Sequence, residues 1–170
     1  MFTNVMVGEQ GVEESGFNYN AGAAVGRVLD IWKAGAPELD LLCPDIYNPA
    51  KREYNRIAGR YARPDNALYI PESATSGEAN AMNALRAFAD YGCIGLCAFG
   101  AEMALNANDE LTDEARTMAF SMRAIGGLAP LLIKYRGTGR VHALLQDEFS
   151  RYEYLKLDKF HVVANFFRGS

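Results

Sequence analysis

The apolar positions of this chain fall into four short runs, each followed by a segment with helical periodicity. The apolar runs are residues 2–7, 39–47, 67–73 and 93–99. Runs of this length and composition are typical of strands that are buried on both faces of a parallel sheet. The segments with helical spacing are residues 25–34, 49–61, 78–91 and 112–124. Four strand-plus-helix units predict right-handed βαβ crossovers and therefore an α/β fold with a parallel sheet.

The pattern changes after Gly126-Gly127 and Pro130. Residues 141–145, 152–157 and 160–167 form short β-prone runs that are separated by charged turns. Short runs of this kind are typical of antiparallel strands. We therefore predict two parts, residues 1–135 with the strand–helix units and residues 136–170 as the beginning of an antiparallel β appendage.

Polar side chains occur at the C-terminal ends of the predicted strands. Glu72 ends the run 67–73, and strand alternation predicts that Leu68, Ile70 and Glu72 share one face. Asp45 and Tyr47 lie in the same way at the end of the run 39–47. Barrels and open α/β sheets place their active sites at these strand ends, so we expect Glu72 and Tyr47 to line one cavity. An alternative is that Glu72 is a helix-capping or solvated loop carboxylate.

Composition narrows the classes of partner. The 170 residues are 49% apolar and 22% charged, as expected of an ordered globular domain, and the net charge is −4. The acidic balance and the lack of a basic cluster argue against nucleic acid and anionic membrane surfaces as partners. The sequence has no stretch of 18 apolar residues, and because residues 1–7 lack the basic start and small-residue cleavage site of a signal peptide, we do not expect them to be one. A complete (β/α)8 barrel needs about 250 residues, which is more than this chain contains.

Three cysteines lie within apolar runs, and we expect all three to be buried free thiols. They are Cys43, Cys93 and Cys97. Cys93 and Cys97 are four residues apart with no further ligand nearby, so we expect no zinc site and no other metal or cofactor. Four other acids, Glu9, Glu13, Glu14 and Glu102, lie in predicted loops, where we expect them to be solvated.

Five segments, taken in order and spacing, carry a resemblance to a known family. They are Phe2-Thr3-Asn4-Val5, residues 28–34, residues 39–47, Tyr69-Ile70-Pro71-Glu72 and residues 94–100. Together they resemble the C-terminal half of the catalytic barrel of bacterial β-galactosidases of glycoside hydrolase family 35 and their clan. The resemblance covers residues 2–130 and implies strands five to eight of a (β/α)8 TIM barrel.

The resemblance implies a retaining glycosidase in which Glu72 is the nucleophile and the Tyr47 hydroxyl lies beside it. A sugar ring needs flat apolar surface and hydroxyl partners, and Asn4, Asp45, Tyr47 and Phe99 are the candidates for substrate binding. The family's general acid/base is a Glu after an Asn at the end of strand four, and no residue of this chain matches it. The resemblance therefore implies a fragment that is inactive alone. Its expected partners are a β-linked galactoside or related oligosaccharide, and either the missing N-terminal half of the barrel or a second copy in a homodimer.

The sequence also allows two other interpretations, one of which is less favoured. The chain is also compatible with a non-catalytic half-barrel that binds carbohydrate or serves in assembly. A flavodoxin-like phosphate binder is disfavoured, because no glycine-rich turn follows a strand and opens a helix. The cellular location is undefined, with the cytoplasm or periplasm expected if a longer parent protein exists.

Overall fold

The fold alternates short strands with helices and ends in a two-stranded hairpin. The computed structural model describes residues 1–8, 14–17, 19–147 and 149–166. The strands are β1 (Phe2–Met6), β2 (Leu41–Asp45), β3 (Tyr69–Ser73), β4 (Gly95–Ala98), β5 (Tyr152–Lys156) and β6 (His161–Asn165). The helices are α1 (Leu29–Gly35), α2 (Lys51–Tyr61), α3 (Glu78–Asp90) and α4 (Asp113–Tyr135), with a 3₁₀ turn at Ala101–Ala104. The mixed α/β class predicted from the sequence is confirmed.

The first four strands are neighbours in chain order, and all are parallel. β1 pairs with β2, with Phe2 opposite Leu41, and β3 pairs with β4, with Tyr69 opposite Gly95. A single parallel bridge between Ile46 and Ser73 joins the two pairs, and the Ile46 N–H donates to the Glu72 carbonyl at 3.0 Å. Within the described ranges these strands form small sheets that do not close into a barrel.

The side chain of Asn66 replaces backbone pairing where β2 and the approach to β3 lie side by side. Its Oδ1 accepts from the Leu42 N–H at 2.9 Å, and its Nδ2 donates to the carbonyls of Leu42 at 2.9 Å and Tyr61 at 3.0 Å. Asn66 is only 2% exposed. This buried amide therefore ties β2, the end of α2 and the start of β3 together.

The hydrophobic core lies on one side of the strands, under the helices. Strand residues Val5, Leu42, Ile46, Leu68 and Ile70 pack there. Their helical and loop partners in the core are Val25, Leu29, Tyr54, Ile57, Ala58, Tyr61 and Ala87. On the other side of the strands, Phe2 and Met6 are exposed. The helices thus cover one face of the parallel strands and leave the opposite face uncovered.

Two predicted helices differ from the structure in their bounds. α1 begins at Leu29 instead of residue 25, because the Ala24 carbonyl accepts from the buried Tyr61 hydroxyl at 2.8 Å and a tertiary contact fixes this segment. α4 continues beyond residue 124 to Tyr135, with Pro130 inside the helix. Proline leaves the Gly126 carbonyl without its helical donor, and because Gly126 is exposed, water can solvate that carbonyl.

The predicted strand at residues 141–145 is absent. Its backbone N–H groups bind acidic side chains instead of another strand: Ala143 donates to Asp90 at 3.2 Å and Leu145 donates to Glu153 at 2.7 Å. The next two predicted strands are confirmed as the antiparallel pair β5 and β6, in which Tyr152 lies opposite Asn165. Phe167, the last residue of the predicted third strand, lies outside the described residues.

Two of the three cysteines are buried as predicted, and one is not. Burial raises the pKa of Cys43 to about 12 and that of Cys93 to about 11, so both thiols stay protonated at neutral pH. Cys97 is exposed, and the prediction for it is wrong. The reason is that its neighbour Leu96 packs under the helices, which leaves Cys97 on the uncovered side of β4.

The hairpin is attached to α2 through a partly buried ionic cluster. Lys51, in the first turn of α2, contacts Asp147 at 3.0 Å and forms a second ion pair with Glu153 of β5. Burial alone raises the pKa of Asp147, but hydrogen bonds from Lys51, the N–H groups of Phe149 and Ser150, and the Ser150 hydroxyl outweigh it and hold that pKa well below its usual range. Asp147 therefore binds the hairpin as a carboxylate.

We expect acid to weaken this attachment. A carboxyl with a lowered folded-state pKa stabilises the fold above the unfolded value of about 4, and this contribution is lost as pH falls through the folded pKa. Asp147→Asn should lower the free energy of unfolding by about 1 to 2 kcal/mol at pH 7, and the difference from the native chain should shrink between pH 4 and pH 2. Urea denaturation across that pH range measures it. Asp113→Asn, at an exposed carboxylate in α4, is the control and should change stability little at any pH.

Candidate functional site

Four of the five predicted site residues meet at one end of the parallel strands. The Nδ2 of Asn4 in β1 donates to both carboxylate oxygens of Asp45, each at 3.0 Å, and lies 3.3 Å from Oε1 of Glu72. The Tyr47 hydroxyl donates to Oε2 of Glu72 at 3.0 Å. Both oxygens of Glu72 thus accept hydrogen bonds, which fixes the orientation of the carboxyl group between Tyr47 and Asn4. The prediction that Glu72 and Tyr47 face the same space is confirmed.

The way in which Glu72 reaches this cluster differs from the predicted alternation. Leu68 and Ile70 are buried in the core under the helices, on the side of the strands away from Tyr47. Between Ile70 and Ser73 the register against β4 shifts, because three residue steps in β3 match two in β4. A bulge of this kind reverses the phase of the side chains that follow it. Glu72 therefore lies opposite Leu68 and Ile70, and their predicted common face is wrong.

Simple alternation before the bulge places an aromatic side chain on the uncovered face, because Tyr69 lies between the core residues Leu68 and Ile70. Tyr69 lies on the side of β3 away from the core, and its ring meets Phe2 edge-to-face with centroids 5.2 Å apart. A Cβ at Gly95, opposite Tyr69, would lie 3.0 Å from the Tyr69 ring, so any larger residue there would have to displace the ring by a few tenths of an ångström. The Tyr69 hydroxyl lies 3.3 Å from Cys97 Sγ. The sequence reasoning missed Tyr69 because it assigned Leu68 and Ile70 to the face of the site. Pro71 within the strand is the signal of the bulge that gives Glu72 the same face as Tyr69.

Asp45 is the buried member of the cluster. It is 4% exposed, and burial is the main reason that its pKa is raised. The hydrogen bond from Asn4 opposes that rise, and the nearby charge of Glu72 adds to it. Because both of its oxygens accept from Asn4, Asp45 orients the Asn4 amide toward Glu72.

The remaining predicted residues have different surroundings. Phe99 follows β4, and its N–H donates to the Ser73 carbonyl at 2.9 Å, which places its backbone beside the C-terminal end of β3 while its ring is exposed. Glu14 and Glu102 are exposed, as predicted for loop acids. Glu9 and Glu13 lie outside the described residues.

The part of the chain that the structure describes contains no group of three or more His, Cys, Asp or Glu side chains placed to hold a metal ion. None of its helices has both the length and the apolar character needed to span a membrane.

Comparison with known proteins adds no family assignment. No protein-family model matches the chain, and no curated protein matches it. The functional interpretation therefore depends on the geometry of the Asn4, Asp45, Tyr47 and Glu72 cluster and on the resemblance carried by the five sequence segments.

Proposed function

We propose that this chain carries the nucleophile side of a retaining glycosidase site for a β-linked galactoside or related oligosaccharide. The observation that carries the proposal is the Glu72 carboxylate, which accepts from Tyr47 on one oxygen and from Asn4 on the other at the C-terminal end of β3. A retaining glycosidase needs an ionised, oriented carboxylate to attack the anomeric carbon. In this proposal the four strand–helix units are the C-terminal half of a (β/α)8 barrel.

The face of the strands on which Glu72 lies has groups that suit a sugar. Asn4 and Tyr47 provide polar groups beside Glu72, and Phe2 and Tyr69 provide apolar ring surface on the same face, at the start of β1 and β3. Flat apolar surface with a few convergent hydrogen-bonding groups is the usual composition of a small-molecule site. We assign Phe99 to the rim of this site, where an exposed ring is available to a bound sugar.

A retaining mechanism also needs a protonated carboxyl about 5 to 5.5 Å from the nucleophile. Among the described residues, Asp45 is the carboxyl connected to Glu72 through a shared partner, but it is buried and holds Asn4 with both oxygens. We therefore assign Asp45 to positioning and place the acid/base of the proposed reaction outside this chain.

The test is to trap the glycosyl group on Glu72. We expect a dinitrophenyl fluorogalactoside, with fluorine beside the anomeric carbon, to label the chain slowly, because its leaving group departs without a proton and fluorine slows breakdown of the ester. The bond from the anomeric carbon to a Glu72 oxygen forms as the bond to dinitrophenolate breaks. Mass spectrometry of the peptide that contains Glu72 detects the added fluorogalactosyl group.

Two variants make the test specific. Glu72→Gln should abolish labelling, whereas Glu102→Gln, at an exposed acid, should leave it unchanged. Labelling that persists in Glu72→Gln would refute the assignment. Saturable galactoside binding without any labelling would instead favour the non-catalytic carbohydrate-binding alternative.

A further inference from the structure

Helix α4 carries two apolar faces, and only one of them is covered. Met118 and Ile125 pack with Ala81 and Ala84 of α3. A second set at positions i, i+4, i+7, i+8 and i+11 consists of Phe120, Ala124, Gly127, Leu128 and Leu131. We call this second set the free stripe. Its spacing is that of a helix face that packs against another element, yet Phe120 is 70% exposed and Leu131 is 52% exposed.

The total surface of the chain is large for its mass. The accessible surface is 10658 Å², and the mass is 18.7 kDa. A compact monomer of that mass is expected to expose about 8,300 Å², so the excess is about 2,400 Å². A standard protein interface buries about 800 Å² on each partner, and soluble monomers seldom expose apolar patches above a few hundred Å². The chain thus has enough uncovered surface for a stable interface.

The two ends of the row of strands complement each other. In the described residues no strand pairs with the outer edge of β1 or of β4, so each edge has free backbone N–H and C=O groups. Ile31 of α1, the helix that follows β1 in the chain, is exposed, as is most of the free stripe of α4, the helix that follows β4. Each end can be covered by a neighbour that presents a parallel strand edge and an exposed apolar helix. A second copy of the chain has both.

We propose that α4 and β4 of one copy dock against α1 and β1 of a second copy. A two-fold axis along the strand direction keeps all strands parallel, and in a closed ring it repeats the same contact twice. The free stripe contains no charged residue, so two chains of net charge −4 meet there without direct charge repulsion.

Light scattering on the purified chain tests this proposal. We expect a mass of twice 18.7 kDa. Leu131→Arg places a charge within the free stripe and should reduce the mass to that of one chain. Ile133→Arg is the matched control, because Ile133 is 77% exposed on the same helix but points away from the free stripe, and it should leave the dimer intact.

Circular dichroism checks that each variant is folded, and Phe120→Arg decides the question if Leu131→Arg does not fold. A native chain that is monomeric at all concentrations would overturn the proposal and point to an unlike protein as the occupant of the free stripe. A dimer that survives arginine at both stripe positions would overturn it as well.

Discussion

Replacing Asn66 with alanine is expected to destabilise the chain by about 3 kcal/mol or more. The substitution leaves the Leu42 N–H and the Leu42 and Tyr61 carbonyls without their partner, and each unpaired buried group costs about 1 to 3 kcal/mol. The free energy of unfolding of a domain is only about 5 to 15 kcal/mol. A loss of this size should therefore leave a readily measured unfolded fraction in mild denaturant. Urea denaturation followed by Trp32 fluorescence measures it.

Two further variants separate hydrogen bonding from volume. Asn66→Asp keeps the shape and the acceptor for Leu42 but turns an oxygen toward two carbonyls, so it should be about as damaging as alanine at pH 7. Asn108→Ala, at an exposed loop position, should change the free energy of unfolding by less than about 0.5 kcal/mol. If Asn66→Ala were equally mild, the strands would be joined by backbone pairing and packing alone.

The periodicity of the sequence predicts most of the fold because the core has a simple geometry. Strand interiors that pack under helices must be apolar, and α2 and α3 lie within two residues of their predicted bounds for the same reason. The continuation of α4 through Gly126, Gly127 and Pro130 is not predictable from local preference, since each of these residues disfavours a helix interior. Packing of Ile125 and Leu132 around α3 accounts for it.

The sequence predicts which residues form the site, but it does not predict how the backbone brings them together. Parallel strands bring their C-terminal ends together, and this rule alone places Asp45, Tyr47 and Glu72 near one another. Simple alternation assigns Glu72 to the face of Leu68 and Ile70, and only the bulge before Ser73 reverses it. Side-chain links such as Asn66 to Leu42 leave no periodic signal, because one asparagine at a strand start resembles any turn residue.

The proposed division of catalytic roles predicts a strong dependence on the leaving group. We expect the chain to release dinitrophenolate from a dinitrophenyl galactoside at a low rate and to show no measurable turnover of the matching methyl galactoside. Loss of general acid catalysis costs about 10² to 10⁴ in rate, and this loss applies only when the departing oxygen needs a proton. Initial rates on the two substrates at equal concentration give the ratio, with a complete retaining β-galactosidase as the reference.

Asp45 decides how that result is interpreted, because it is the described carboxyl linked to Glu72 and its pKa is raised by burial. If Asp45 only holds Asn4, Asp45→Asn should lower the rate on the dinitrophenyl galactoside through a misplaced amide, and the methyl galactoside should show no turnover with either chain. If the native chain cleaved the methyl galactoside well, and Asp45→Asn removed that activity while sparing the dinitrophenyl substrate, Asp45 would be the acid. The methyl galactoside distinguishes these roles, since only removal of an acid would abolish its cleavage while sparing the dinitrophenyl substrate.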